Sequence, residues 1–414
     1  MREAQEGAWT CRSLLFVPGD NPSMIASATV YGADAVILDL EDSVPLKSKE
    51  PARILVREAL SCVERGRARV GVRVNAPATG MAGDDLSEII AGVPDFVVVP
   101  KVESAGDVAQ VCALLDRAED AAGVPPGTTR IIVTLETPLG VVRAYEIACA
   151  SRRVAGVGFG AEDFRTAMGI GRTQHGEELL LAKSMTAMCA KAGGVAAFDT
   201  VYSNVDDEAG FLADVRRSRE LGFSGKFSIH PSQVPVINSV FAPDAAELEH
   251  ARKIVEAYEA ALKDGVGVVA VDGAMVDEPI VRRAYAAIAA AGGGAAGRDC
   301  AGRGKLPRRS AARPRPLRVS GLVREAEAGT DRKGDVVVKV APAEAGQGTS
   351  VSVTSTVALL YGAAIEATVR RVLADMGVAE ARVVVADKGA LDFAIAARTE
   401  AAVRASAREC QGGR

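Results

Sequence analysis

From Ser13 onward the chain alternates apolar runs of strand length with amphipathic stretches of helical length, and the unit recurs eight times before residue 232. The apolar runs are residues 13–18, 34–42, 70–76, 96–103, 130–137, 154–163, 194–202 and 225–231. Rich in Val, Ile and Phe, they fit strands buried in a parallel sheet. Strands that alternate with helices predict parallel pairing through right-handed crossovers, and eight such units predict closure into an α/β TIM (β/α)8 barrel. The competitor is an open doubly wound sheet. It fits less well, because the first strand–helix turn, VPGDNPSM, lacks the GxGxxG fingerprint.

Beyond the eighth run, helical patterns over 245–265 and 278–291 flank VVAVDGAMVDEP, which places Asp272 and Asp277 on a Gly-containing loop. Asp277 precedes Glu278 and Pro279, the arrangement of a helix N-cap. Residues 292–320 then change character, with eight Lys or Arg against the single Asp299 and Gly and Pro throughout. That reads as a solvated linker. From about Gly321 a compact pattern returns: GDVVVKVAP and GTSVSVTSTV alternate as strands, a helical run ends at Gly377, and ARVVVADKG leads into a last helix. The expected organisation is a barrel over 1–291, a linker over 292–320 and a small α+β domain over 321–414. The small domain has no catalytic cluster and reads as a binding or carrier unit.

A 414-residue chain supports two domains, and its 48% hydrophobic content excludes disorder of the whole. The net charge of −4 gives no reason to expect nucleic acid or an anionic membrane as partner. With no signal-like or membrane-spanning apolar run, a cytoplasmic protein is expected. Seven scattered cysteines predict reduced thiols, and three histidines argue against a poly-histidine metal site.

Chemistry gathers at the strand ends. In order these carry Asp20, Glu41 with Asp42, Arg73 with Asn75, Lys101 with Glu103, Glu136, Glu162 with Asp163, Asp199, and His230. Apolar bodies with charged exits are the pattern of a barrel's active face. The stretch Arg130–Phe164 is the most informative, because two buried strands each end in acid. Carboxylates at such positions must be paired or bind something, and two from neighbouring strands could hold a hard divalent cation. A helix cap is the plain alternative for each.

The segments RSLLFVPGDNPSM, DAVILDLEDSV, VRVNAP, VVVPKVES, LETPLGV, GFGAEDF and GKFSIHPSQV together resemble the citrate lyase β subunit group of the HpcH/HpaI aldolase and citrate lyase family, over residues 12 to about 290. The resemblance implies a TIM-barrel lyase in which Glu136 and Asp163 hold Mg²⁺. It implies substrate contacts from Arg73, with Arg12 a further candidate, and a catalytic Asp277 delivered into a neighbouring subunit's site. Lyases of this type are commonly trimers or larger. The last domain is similar to the citrate lyase γ subunit, an acyl carrier protein, through AGT at 328–330, GD at 334–335 and DKGALD at 387–392. Where that carrier has the serine bearing phosphoribosyl-dephospho-CoA, this chain has Lys333. An ammonium cannot form the phosphodiester, so the group is absent unless Ser320 or Thr330 serves instead.

The expected reaction is Mg²⁺-dependent cleavage of a β-hydroxy acyl thioester, citryl thioester to oxaloacetate and acetyl thioester. Glu136 and Asp163 hold the metal, Arg73 binds a carboxylate or enolate oxygen, and Asp277 acts as acid. Glu41, Asp42 and Lys101 orient substrate or support the others. A malyl-CoA or related lyase acting on free CoA thioesters is one alternative. The other is a non-catalytic CoA-ligand scaffold recruiting partners such as a citrate lyase α subunit.

Overall fold

The computed structural model describes residues 9, 11–173, 176–242, 244–263, 267–295 and 317–407. Eight parallel strands, β1 (Ser13–Pro18), β2 (Ala35–Asp39), β3 (Arg69–Arg73), β4 (Phe96–Val99), β5 (Arg130–Leu135), β6 (Val154–Phe159), β7 (Ala196–Asp199) and β8 (Gly225–Ser228), close on themselves in sequence order. The eight expected runs are these eight strands. The first run coincides with β1, and the other seven strands end before their runs do, because the polar exit residues leave the ladder.

Every second side chain of a strand points into the barrel. Leu14, Ile37, Phe96, Val98, Ile132, Phe198 and Phe227 form one buried cluster that fills the interior. Glycines make room for the rings. A Cβ on Gly71 would stand 2.5 Å from the Phe96 ring, and one on Gly156 would stand 2.5 Å from the Phe198 ring. Trp9, ahead of β1, meets Phe96 edge-on with centroids 4.9 Å apart, so the amino-terminal end is plugged. The other, carboxyl end carries the polar residues.

Two further parts follow. Helices Ala245–Lys263 and Glu278–Ala295 pack on a hairpin of β9 (Val269–Val271) and β10 (Ala274–Val276), with a hydrophobic core of their own. The hairpin was not foreseen, although Asp272-Gly273 joins it with φ of 48° and 82°, the two positive values that a two-residue Asp-Gly turn favours. The small domain holds β11 (Ala326–Ala328), β12 (Val336–Ala341), β13 (Thr349–Ser355) and β14 (Ala381–Asp387) in the order β11-β12-β14-β13. Only the three-residue β11 escaped the sequence pattern. Gly292–Ala295 continue a helix, and the Val319 N–H donates to the Met376 carbonyl; residues 296–316 of the expected linker lie outside the described residues.

The small domain is docked on the barrel. Its last helix, Asp392–Ala407, lies against Lys49–Cys62, and residues 393–403 are all buried, as expected of a helix between its own sheet and a neighbour. Arg57 of the barrel is 3% exposed. It pairs with Glu58 at 2.9 Å, with Glu400 of the small domain at 2.5 Å, and with Glu88. Arg404 returns from the small domain to Glu88 at 2.8 Å and Glu400 at 2.5 Å. Burial opposes ionisation of Glu88, yet Arg404 and Arg57 hold its carboxyl below the ordinary value of 4.5.

Removing one member of such a network strands the others. Arg57→Met leaves Glu58, Glu88 and Glu400 with Arg404 alone, and the expected loss is about 3–5 kcal/mol in urea unfolding at neutral pH. A carboxyl depressed by folding contributes stability above its unfolded pKa and loses it as pH falls through the folded value. The wild-type chain should therefore weaken below about pH 4.5, and Glu88→Gln should flatten that decline.

Candidate active site

Strand parity decides which exit residues meet. Asp39 follows Ala35 and Ile37 on the inward side of β2, and Arg73 follows Gly71 on β3. The Arg73 guanidinium grips Asp39 with both arms, Nε to Oδ1 at 2.7 Å and Nη2 to Oδ2 at 2.8 Å, and lies 4.8 Å above the Phe16 ring. Asp39 also accepts from the Glu41 and Ser43 N–H groups at 2.9 and 3.1 Å. Burial would raise the Asp39 carboxyl, but Arg73 and these donors hold it below the ordinary range. Arg73 is thus fixed rather than searching, with Nη1 turned to Glu41 at 3.1 Å and to Asp42 at 3.5 Å. Asp39 went unrecognised because it stands inside an apolar run. Its inward parity was the available signal.

Glu41 bridges Arg73 and the next strand. Lys101, just past β4, donates to Glu41 Oε1 at 2.8 Å and stands 3.6 Å from Asp163. Burial pushes the Glu41 carboxyl up despite both cations. Burial pulls the Lys101 ammonium the other way, but Glu41, with Asp42 and Glu136 behind it, holds it above the ordinary lysine range. Lys101 adopts φ of 56°, a left-handed backbone that costs a non-glycine residue about 1 kcal/mol or more and that recurs at functional sites. Lys49 secures the loop by donating to the Leu40 and Glu41 carbonyls, each at 2.6 Å.

Glu136 leaves β5 on the inward side, after Ile132 and Thr134. It is 4% exposed, and Oε1 accepts from the Thr134 hydroxyl at 2.5 Å. Asp163 occupies the first turn of helix Ala161–Met168, and its carboxyl reaches hydrogen-bond range of Glu136. Burial first, then the Asp163 and Glu41 carboxyls, push Glu136 up to about 8 against the pull of Thr134. Gly160 makes the approach possible, since a Cβ there would stand 2.6 Å from Glu136 Cγ. Two acids facing each other with their charge incompletely balanced fit a hard divalent cation that keeps positions open for water or substrate. Among the described residues no group of three or more His, Cys, Asp or Glu side chains is placed to hold a metal ion.

Other expected residues lie elsewhere. Arg12 stands ahead of β1, at the end of the barrel opposite Glu136, where it grips Asp34 at 2.8 Å through two nitrogens; its assignment to substrate is corrected. Asp199, next to inward Phe198, has outward parity. It is buried with Lys226 at 2.8 Å and Lys183 at 2.9 Å, which hold its carboxyl well below the usual range against the cost of burial. Asn75 donates twice to buried Asp85 at 2.7 Å. Glu162 pairs with Arg165 at 2.9 Å and Arg172 at 2.5 Å, and His230 meets the Ser232 hydroxyl at 2.8 Å. Asp277 accepts from the Ile280 N–H at 3.4 Å as a helix cap, in the part with its own core.

Residues 12–231 match the HpcH/HpaI aldolase/citrate lyase family. The chain belongs to that family. Within it, the citrate lyase subunit beta of Escherichia coli is 42% identical over 275 residues, 66% of this chain and 91% of the relative. An L-malyl-CoA/beta-methylmalyl-CoA lyase of Cereibacter sphaeroides is 33% identical over 294 residues, covering 66% and 92%. The crystal structure of CitE from Mycobacterium tuberculosis in complex with magnesium, acetoacetate and coenzyme A aligns with a TM-score of 0.57 at 32% identity, over 68% of this chain and 98% of that one. Residues 323–406 match the malonate decarboxylase delta subunit (MdcD), an acyl-carrier-type domain. The chain is accordingly a carbon–carbon lyase of the family with a carrier-like domain fused behind it, and the scaffold alternative is set aside. No helix among the described residues is long and apolar enough to cross a membrane.

Gly160→Ala is expected to drive Glu136 from its position. Overpacking of this kind costs about 1–3 kcal/mol, readable in urea unfolding, and turnover should fall by at least about tenfold, an activation cost of about 1.4 kcal/mol.

Proposed function

We propose that this chain cleaves a β-hydroxy acyl thioester, citryl thioester to oxaloacetate and an acetyl thioester, with Mg²⁺ held by Glu136 and Asp163. The carrying observation is the buried Glu136 facing Asp163 at the carboxyl end of the barrel, with Lys101 3.6 Å from Asp163. When bound, Mg²⁺ would polarise the substrate hydroxyl and its neighbouring carboxylate as a Lewis acid.

The reaction demands loss of the hydroxyl proton, departure of the thioester-bearing carbon as an enolate, and protonation of that carbon. Arg73, locked by Asp39, would turn the Nη1 side that now faces Glu41 and Asp42 to a substrate carboxylate or to the enolate oxygen. Because its partner is buried and fully bonded, little reorganisation accompanies the change of charge. Lys101 and Glu41 keep Arg73 and Asp163 in one charge array and orient substrate, with Asp42 at its exposed edge. Asp277 is assigned to protonation of the enolate carbon. It lies in a helical hairpin with a separate core, so the assignment has a neighbouring copy deliver it, in a homotrimer or larger assembly. A citrate lyase α subunit is a further partner on this reading.

A second reading, cleavage of free malyl-CoA, is favoured by the similarity to the Cereibacter sphaeroides lyase. Assaying citryl-CoA and malyl-CoA side by side, with and without Mg²⁺, separates the two. Glu136→Gln and Asp163→Asn should each abolish Mg²⁺-dependent cleavage and weaken Mn²⁺ binding while preserving the circular dichroism spectrum; wild-type turnover in either variant removes the metal pair. Asp277→Asn should lower kcat about a hundredfold or more, the scale of a lost general acid, and leave Mn²⁺ affinity intact. Full activity would reduce Asp277 to a helix cap.

A further inference from the structure

The carrier-like domain presents one end at the active rim. Ser23, in the helix that follows β1, donates to the Lys333 carbonyl at 2.8 Å, and the Asp20 carbonyl of the β1 exit accepts from Arg398 at 2.9 Å. Arg398 is itself buried against Asp335 at 2.9 Å. These bonds hold the turn 331–335 at the end of the barrel where Glu136 lies, and Arg57, Glu88, Glu400 and Arg404 hold the helix behind it. The fit is close: a Cβ on Gly334 would stand 2.0 Å from the Ser23 hydroxyl oxygen.

Three cations emerge there. Arg332 and Lys333 are exposed, and among the described residues no ion pair involves either. Lys388 joins them, since its carbonyl accepts from the Gly334 N–H at 2.9 Å and its N–H donates to Asp335. Asp331 pairs with Lys388 at 3.3 Å and Asp335 with Arg398 at 2.9 Å, which leaves a net charge of +2 from four cations and two acids. The whole chain is acidic at −4, so this is a local field against the general one.

We propose that the turn 331–335 with Lys388 is a subsite for the phosphate groups of a free CoA thioester, and that the fused domain serves as a fixed wall of the site. The inference deepens the lyase reading above and rests on it for the thioester end. CoA carries a diphosphate and a further phosphate on its ribose, joined to the thioester by a long flexible arm. With the acyl group at Glu136 and Asp163, the arm can cross the barrel mouth to the β1 side, where Arg332 and Lys333 stand. The Lys333 ammonium cannot form a phosphodiester that would tether such an arm, so a diffusible thioester suits the geometry.

The test is calorimetric titration of CoA itself into the full-length protein. The wild-type chain should bind CoA more tightly than pantetheine, which lacks the phosphates, and the difference should shrink at high salt. Reversing Arg332 and Lys333 together to Glu should weaken CoA about tenfold, equivalent to about 1.4 kcal/mol. Reversing Arg370 and Arg382 to Glu, elsewhere on the same domain, should leave CoA affinity unchanged. Equal weakening in both pairs, no weakening in the first, or no binding of CoA by the wild-type chain overturns the subsite. Turnover separates this from the lyase reading. A chain that binds CoA through the turn yet cleaves no hydroxyacyl-CoA with Mg²⁺ keeps the subsite and loses the reaction. Cleavage of citryl-CoA with unaltered KM in the Arg332/Lys333 variant keeps the reaction and loses the subsite.

Discussion

Closure of a parallel sheet into a barrel imposes a two-residue period on what can reach its axis, and the site depends on that constraint. The inward series on β2 runs Ala35, Ile37, Asp39, and on β5 it runs Ile132, Thr134, Glu136. In both, the series begins apolar and its last inward position is an acid, with Thr134 bonded to that acid on β5. The same rule turns Asp199 and Lys226 outward, where they neutralise each other beneath the surrounding helices. Two acids at equivalent strand ends therefore do opposite work. Among the described residues no ion pair involves Glu136 at the rim, whereas Asp199 is neutralised by the lysines it packs against.

Burying Glu136 beside Asp163 is costly for a free protein and useful for a cation-dependent one. Desolvation and the neighbouring Asp163 and Glu41 carboxyls oppose ionisation, and the Thr134 hydroxyl pulls the other way. The chain could have relieved this with a salt bridge of the Arg73–Asp39 kind. It instead spends its arginine on holding Asp39, leaving Lys101 on Glu41 and the Glu136–Asp163 pair open. The left-handed backbone of Lys101 and the missing side chain at Gly160 are the local accommodations for that arrangement.

Much of this was legible in the chain. The eight apolar runs, the acids ending the fifth and sixth, and Arg73 at the end of the third are one-dimensional signals. What escaped was three-dimensional or below the length at which a pattern has meaning. Arg12 adjoins β1 in sequence, and only strand direction shows that it lies at the wrong end. Asp39 lies within three residues of Glu41 and Asp42, so proximity could not rank the three, whereas the strand end does: Asp39 is the last residue of β2 and the other two lie past it. The β9–β10 hairpin has three-residue strands, too short for alternation to register, though its Asp-Gly turn was a usable sign. Nothing in the local sequence of Arg57, Glu88, Glu400 or Arg404 marks them as partners, because residues 57 and 400 meet only through the docking of two domains.

That docking has a logic beyond stability. Two arginines and three glutamates removed from water recover little net energy, since desolvation offsets most of their attraction. Their value lies in register. The last helix offers Ala394, Ala397, Ala401 and Ala402, small and alike, to its surroundings, and apolar packing of that kind tolerates sliding along the barrel helix Lys49–Cys62. Displacement would leave Arg57 facing no carboxylate and bury Glu400 uncompensated, a penalty of several kcal/mol that apolar contacts would not repay. One alignment is selected. In it the Lys333 turn meets Ser23 at the active rim, so a charge cluster placed midway along two helices determines what stands beside the barrel mouth.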